Sequence, residues 1–222
     1  MLEQRHIGSI AAIICAGTYL FGFAMLVTVL APAGYGSDDI DAATVLAFAS
    51  DHFALVAIWN LAIYVVNGLA LAFLATTLAA RFRAHLPGLA QSILAIGLLW
   101  ATLVTGAGMV ANVGLEAALR RYATDPEGAA NLWEVLHTVE LGLGGGNEIA
   151  GGIWAILIGL AALISRRLPR ALGWVSLVIG LSGLATLFPM LGETPGAVFG
   201  LGYILWFGWV ALSLARPART SF

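Results

Sequence analysis

The sequence predicts an all-α integral membrane protein, a bundle of six transmembrane helices with both termini in the cytoplasm. Three observations predict this fold. Hydrophobic residues make up 60% of the 222 residues and charged residues only 10%, with a mean hydropathy of +0.94, whereas a water-soluble domain carries roughly 25% charged residues. The apolar residues fall into six long runs, and almost all arginines lie between these runs on one side.

Each run is long enough to cross a bilayer, since a helix needs about 20 apolar residues to span roughly 30 Å of hydrocarbon. A single membrane domain is therefore expected over 1–222. The predicted spans are about 7–30, 53–79, 87–112, 142–165, 171–190 and 197–215.

The connections between the runs differ in length. Short turns precede Pro87 and Pro169, and a proline at the first position of a helix loses no hydrogen bond. The longer connections, 32–51 and 113–136, predict short interfacial helices on the outer side. Within the second of these, Asp125-Pro126-Glu127 is typical of a helix start.

Arginine placement predicts the orientation, because short loops rich in Lys and Arg stay on the cytoplasmic side. With six crossings, eight arginines fall on one side: Arg5, Arg81, Arg83, Arg166, Arg167, Arg170, Arg216 and Arg219. Arg120 and Arg121 fall on the other side, together with most acidic residues. The sequence therefore predicts a multi-pass protein of the inner (plasma) membrane with cytoplasmic termini. Its net charge of −2 argues against nucleic acid as a partner.

Polar side chains in three spans concentrate toward the outer side. Asn60 and Asn67 lie seven residues apart, hence on one helix face, and Asn112 and Glu116 share a face of the next span. If the fourth segment is one continuous helix, its polar residues fall within an arc of about 140°. The predicted ligand-binding set is Asn60, Asn67, Asn112, Glu116, His137, Glu140, Asn147 and Glu148. Since polar groups facing lipid are costly, we expect these stripes to face one another around an outward-facing pocket.

Glu148 is the most informative member of this set. Counting about 1.5 Å per residue from the inner boundary places it on the order of 24 Å up, below the outer surface. It should face water, pair with a cation or be protonated. An alternative is that the whole stripe only holds helices together through hydrogen bonds, at about 0.6 kcal/mol each. Glu116 and Glu140 could also be solvated interfacial acids, and Trp59, Trp133 and Tyr122 are predicted to be belt residues near the outer headgroups.

Metal and cofactor chemistry stays open. His52, His137 and Glu148 could supply three ligands of a zinc or copper ion, and the two histidines could hold a haem. A di-iron site is not favoured, because it needs two Glu-x-x-His pairs and two more carboxylates, and the second span offers only Asp51-His52, without that spacing, to match the pair ending at His137. Retinal is excluded because the chain has no Lys to form a Schiff base. No cofactor is strongly implied.

The leading functional prediction is a small membrane protein whose polar pocket binds a small ligand or cation, for sensing or transport. Few polar residues lie in the inner halves of the spans, which favours binding or sensing over translocation. Two alternatives remain, an accessory subunit of a larger membrane complex and a metal-dependent membrane enzyme. The expected partner is the lipid bilayer, with a membrane-protein partner or a homo-oligomer left open.

Four sequence stretches carry a family resemblance: HLPGLAQSILAIGLL, RRLPRALGWVSLVIGLSGL, GNEIAGGIW and GYILWFGWVAL. Together they resemble domain-of-unknown-function family 4386, a group of bacterial six-helix integral membrane proteins. The resemblance covers nearly the whole chain. It implies the six-helix architecture and assigns no reaction, cofactor or functional residue.

Overall fold

A computed structural model describes residues 2–35, 40–145, 148–191 and 194–215, and these residues are almost entirely helical. No β-strand occurs among them. The α-helices of this part of the chain are α1 Leu2–Met25, α2 Ala42–Asp51, α3 Phe53–Asn60, α4 Asn67–Arg83, α5 Pro87–Tyr122, α6 Pro126–Glu140, α7 Ile149–Ser165, α8 Arg170–Ala185 and α9 Thr194–Ala215. Short π-helical stretches lie at Leu26–Leu30, Leu61–Val66 and Leu141–Gly145.

Five helical segments are long and apolar enough to cross a membrane, so the chain is a multi-pass membrane protein. They are Gln4–Ala33, Phe53–Arg83, Pro87–Tyr122, Pro126–Ser165 and Thr194–Ala215. Helix α8, at the place of the predicted fifth span, is apolar but has only 16 residues, a length of about 24 Å. The third segment continues beyond the predicted 87–112, because α5 runs on to Tyr122 without a break.

Six of the helices close into a ring. Helix α1 packs on α4, α4 on α5, α5 on α7, α7 on α8, α8 on α9, and α9 returns to α1. Each helix therefore has a neighbour on either side and can bury one face in the ring while the other faces outward. Large apolar side chains are exposed on this outer face, among them Leu69, Val178 and Leu205.

Glycines bring α7 and α8 into direct backbone contact. A Cβ on Gly152 would lie 2.8 Å from the Gly180 carbonyl oxygen, and one on Gly159 would lie 2.8 Å from that of Gly173. Residues with side chains cannot approach so closely, whereas small residues permit close helix packing within membranes. The two contacts lie seven residues apart, so α8 runs alongside α7 over two turns.

Buried aromatic residues fill the middle of the ring. The Trp154 ring lies 5.7 Å from that of Trp206 and 5.5 Å from that of Trp100. Both deeply buried indole N–H groups have acceptors: Trp154 Nε1 donates to the Ile93 carbonyl (3.0 Å) and Trp206 Nε1 to Ser176 Oγ (2.6 Å). Satisfied donors allow such large side chains to be buried without a polar penalty. The packed rings fill the centre of the bundle.

The two ends of the bundle differ in charge. At one end Arg5 donates to the Leu214 carbonyl, Arg81 donates to that of Arg167, and the Arg167 side chain contacts His85. The predicted arginine-rich side is thus one physical end of the bundle, although Arg216 and Arg219 lie outside the described residues. At the other end α2, α3, α6 and the last turns of α5 form a second apolar cluster around Leu46 and Leu115.

The predicted helix start at Asp125-Pro126-Glu127 is confirmed. Asp125 caps α6, accepting a hydrogen bond from the Gly128 N–H at 2.9 Å, and its carboxylate pairs with Arg121. The backbone N–H of Gly128 and then the Arg121 side chain lower the pKa of Asp125, because both stabilise its charged form. The predicted short helix in the first long connection is also present, as α2, capped by Asp41.

Candidate functional site

A cavity of about 1010 Å³ lies at the end of the bundle opposite the arginines. Its walls come from the later half of α1, the segment from α3 through Leu61–Val66, the later half of α5, α6, and the starts of α7 and α9. Five of the predicted ligand-binding residues line it: Asn60, Asn67, His137, Glu140 and Glu148. Polar residues of the second and fourth segments are thereby brought together around one space.

The two asparagines of the second segment have different surroundings. Asn67 is 1% exposed, and its Nδ2 donates to Thr18 Oγ1 at 2.7 Å, which ties α4 to α1. Asn60 is 6% exposed, yet its amide has no hydrogen-bond partner among the residues that the structure describes. A buried polar group left unpaired costs about 1–3 kcal/mol. The Asn60 amide borders the cavity and is free to bind a group within it.

Glu140 is a paired carboxylate. Tyr64 Oη donates to its Oε1 at 2.6 Å, and His137 Nδ1 lies 3.0 Å from its Oε2. The His137 ring in turn stacks on Trp133, with centroids 4.6 Å apart. The Glu140 side chain is only 12% exposed, so these contacts replace the water it has lost. The arrangement links the second segment to α6 and fixes one wall of the cavity.

Glu148 lies after a break in the helical structure. Gly144 has φ of 141°, a value that only glycine adopts readily, so α6 and α7 are separate helices. The 140° polar arc was predicted only for the case of one continuous helix, and the break at Gly144 means that this condition is not met. Glu148 and Glu140 still line the same cavity, but from two helices with the break between them.

The Glu148 carboxylate forms no ion pair within the described part of the chain. Glu148 occupies the N-cap position of α7, its backbone N–H donates to Thr186 Oγ1 at 3.1 Å, and its side chain makes no capping bond. Among the described residues its carboxylate has no hydrogen-bond partner. The phenols of Tyr19, Tyr64 and Tyr203 lie within electrostatic range of this carboxylate.

Tyr35 adds a polar atom to the cavity lining. Its Oη is buried and has no hydrogen-bond partner among the described residues. Its ring packs edge-on against Trp59, with centroids 6.2 Å apart. Burial raises the pKa of the Tyr35 hydroxyl, and the charge of Glu140 raises it further. This hydroxyl therefore stays protonated at neutral pH and can donate a hydrogen bond.

Three predicted residues lie outside the cavity lining, and a fourth cannot be placed. Asn112 Nδ2 donates to the Ala57 carbonyl at 3.2 Å and so joins α5 to α3. Glu116 is exposed and pairs with Arg120 one turn along α5. His52 is also exposed, and its ring stacks on Phe48 with centroids 4.5 Å apart. Asn147 lies outside the described residues.

The positions of His52, His137 and Glu148 decide whether the predicted metal ligands can act together. Across the described ranges, no group of three or more His, Cys, Asp or Glu side chains is placed to hold a metal ion. His52 does not line the cavity that His137 and Glu148 share. The structure therefore does not bring the three predicted metal ligands together, nor the two histidines predicted as haem ligands.

The aromatic lining of the cavity was not predicted from the sequence. Tyr19, Tyr35, Trp59, Trp100 and Trp133 all contribute to it. Trp133 was expected among the outer belt residues, but it is 7% exposed and packs on His137. A signal was available, since Trp133 precedes His137 by four residues and side chains at that spacing meet on a helix.

Comparison with known proteins gives one match. The family model for Domain of unknown function (DUF4386) matches residues 9–211. The chain belongs to this family. The match confirms the resemblance predicted from the sequence and extends over all six helices of the ring, while the family's description names no activity. No curated protein matches the chain, and no solved structure matches it.

Proposed function

We propose that this family member crosses the inner membrane six times with both termini in the cytoplasm, and that its cavity is an outward-facing pocket that binds a small ligand or cation. The pocket serves sensing in preference to transport. The observation that carries the proposal is the state of two cavity-lining side chains. Asn60 and Glu148 border the cavity, yet neither has a hydrogen-bond partner for its side chain among the described residues.

The way in which the ring closes supports six crossings. Arg5, near the start of α1, donates to the Leu214 carbonyl at the end of α9. The start of the first span and the end of the last therefore lie at the same end of the bundle, which requires an even number of crossings. With five long segments, α8 is the sixth, and its backbone contact with α7 supports this assignment.

The orientation rests on charge. Arginines at the α1, α4 and α7 ends that face away from the cavity would lie in the cytoplasm under the positive-inside rule. The cavity then opens toward the outer leaflet.

A sensing role is favoured over transport by what lies beneath the cavity. Trp154, Trp206 and Phe207 are fully buried between it and the arginine end, and the core around them is aromatic and aliphatic. A translocation path needs polar groups or water along its length. A pocket that is closed on the inner side can bind a ligand without transporting it across the membrane.

The experiment that tests this proposal is thiol labelling in right-side-out vesicles with a membrane-impermeant maleimide. Cys15, the only cysteine in the chain, is first replaced by alanine. Thr138→Cys on the cavity wall should react from outside, and Arg83→Cys only after permeabilisation. For α8, Leu187→Cys should react from outside and Arg170→Cys should be protected.

Two patterns would contradict the proposal. If positions 170 and 187 react from the same side, α8 does not cross the membrane. If position 138 is protected while position 83 reacts from outside, the pocket faces the cytoplasm.

A further inference from the structure

The pocket lining points to one class of ligand. We propose that it binds an organic cation, a positively charged nitrogen carried on an apolar body, with Glu148 as counter-charge. This inference rests on the proposed function, since it names the ligand of the same pocket.

The charges around the cavity are unbalanced. Its described lining contains three carboxylates, on Glu134, Glu140 and Glu148, and includes no Arg, while the chain has no Lys at all. His137 is the single basic side chain of this lining, and it is already engaged with Glu140. Glu148 therefore has no cation beside it among these residues. A carboxylate withdrawn from water needs a charged or hydrogen-bonding partner, which a cationic ligand would supply.

Aromatic rings make up much of the remaining wall. Eight aromatic side chains line the cavity within the described ranges, and the faces of such rings attract cations, at about 0.5–2 kcal/mol each. Tyr19 and Tyr64 belong to this lining and also feel the charge of Glu148. A positive group bound in the cavity beside Glu148 would therefore share that cavity with phenol rings as well as with the carboxylate.

The same wall continues at the start of α7. A Cβ on Gly151 would lie 2.7 Å from both Phe199 and Trp100, so the missing side chain lets these rings close over α7 one turn after Glu148. Trp100 and Phe199 pack edge to face, with centroids 6.2 Å apart. Aromatic rings thus cover the first turn of α7, next to Glu148 along the chain.

Other ligand classes fit less well. An inorganic divalent cation needs several oxygen or nitrogen ligands, and no such group exists among the described residues. An anion would meet carboxylates and no Arg. A neutral apolar ligand would leave the Glu148 carboxylate and the Asn60 amide without hydrogen-bond partners, whereas an ammonium group with a polar substituent can satisfy both. About 1010 Å³ lies at the upper end of the roughly 300–1,000 Å³ typical of small-molecule sites.

The test uses a pair of probes that share one shape and differ in charge, tetraphenylphosphonium and tetraphenylborate. Equilibrium dialysis with radiolabelled probe is run on the full chain in dodecyl maltoside, which carries no ammonium group. We expect saturable binding of one tetraphenylphosphonium per chain and at least tenfold weaker binding of tetraphenylborate. Adding phosphatidylethanolamine identifies the natural source: competition indicates a lipid headgroup ammonium, and no competition indicates a free amine.

Variants connect the binding to the named residues. Glu148→Gln should weaken tetraphenylphosphonium binding at least tenfold, and Glu148→Asp should retain part of it. Tyr19→Leu should weaken it severalfold, whereas Tyr19→Phe keeps the ring and should not. Glu127→Gln is the matched control, because this carboxylate is exposed in the first turn of α6 and outside the cavity. Monodisperse elution and native helix content show that each variant is folded.

The outcomes separate the two proposals. Equal binding of both probes, or undiminished binding by folded Glu148→Gln, overturns the organic-cation inference and leaves a pocket that selects by shape. If neither probe binds saturably, the organic-cation inference falls, and the pocket then depends on the labelling experiment alone.

Discussion

The hydrogen bond between Tyr64 and Glu140 allows a sharp test of the site's architecture. Tyr64→Phe removes one hydroxyl and keeps the ring, so it opens no cavity. The oxygens are 2.6 Å apart, within the range of about 2.5–2.7 Å typical of hydroxyl donation to a charged carboxylate. A hydrogen bond to a charged group contributes about 1.5–3 kcal/mol, and Glu140 has little water to replace it, being 12% exposed. We therefore expect Tyr64→Phe to lower the free energy of unfolding by about 1.5–3 kcal/mol, above the average of about 0.6 kcal/mol for hydrogen bonds between membrane helices.

The measurement is unfolding in mixed micelles by titration with sodium dodecyl sulfate, followed by far-UV circular dichroism. A double-mutant cycle of Tyr64→Phe with Glu140→Gln isolates the pairwise energy, which should be most of the single-mutant loss. Tyr122→Phe is the control, because the Tyr122 hydroxyl makes no hydrogen bond among the described residues, and it should change stability by less than about 0.5 kcal/mol. A Tyr64→Phe effect no larger than that of the control, or a coupling energy near zero, would show that the Tyr64–Glu140 hydrogen bond does not stabilise the fold.

Two further predictions concern the scaffold. Gly152→Ala must push α7 and α8 apart, because its Cβ would lie 2.8 Å from a backbone oxygen where 3.4–4 Å is ordinary; it should cost about 1–3 kcal/mol in the same assay. Gly208→Ala, whose Cβ meets nothing within 4 Å, should be neutral or slightly stabilising, and equal effects of the two would contradict the close helix contact. Asp125→Ala should destabilise α6 by removing its cap. Because the folded-state pKa of Asp125 lies below its ordinary value of 3.8, its contribution is complete above that value and is lost as the pH falls through the lower folded pKa. Wild type and Asp125→Ala should therefore differ by a constant amount above about pH 3.8 and converge as the pH falls below it, and a difference that stays constant on further acidification would show that the carboxylate does not act as the cap.

The predicted residues that line the cavity were identified by contrast within the sequence. Asn60, Asn67 and Glu148 stood out because each is a polar residue in an apolar helical run, where its presence is costly. Asn112 and Glu116 stood out for the same reason, yet the structure gives them other partners, a backbone carbonyl of α3 and Arg120. Spacing alone identified the face of α5 but could not identify what that face contacts.

The aromatic wall was missed for the opposite reason. Tyr19 and Trp100 lie in apolar runs where aromatic side chains are unremarkable, so no pattern distinguishes a cavity wall from core packing. The break at Gly144 was visible only as a glycine-rich stretch, LGLGGG. A periodicity of 100° per residue cannot register a change of direction, so the arc that joins Glu140 to Glu148 holds only for a continuous helix.

The sequence by itself determined that this protein is helical and resides in a membrane, and it identified the family. It could do so because hydrocarbon leaves backbone groups no partner but each other, so long apolar runs must form helices. Which polar residues share a cavity, that aromatic side chains line the same cavity as Glu148, and that α9 returns to α1 are known only from the tertiary structure. Those outcomes depend on contacts between residues far apart in the chain, such as Arg5 with Leu214 and Tyr64 with Glu140, and side-chain spacing along one helix carries no information about the neighbour across from it.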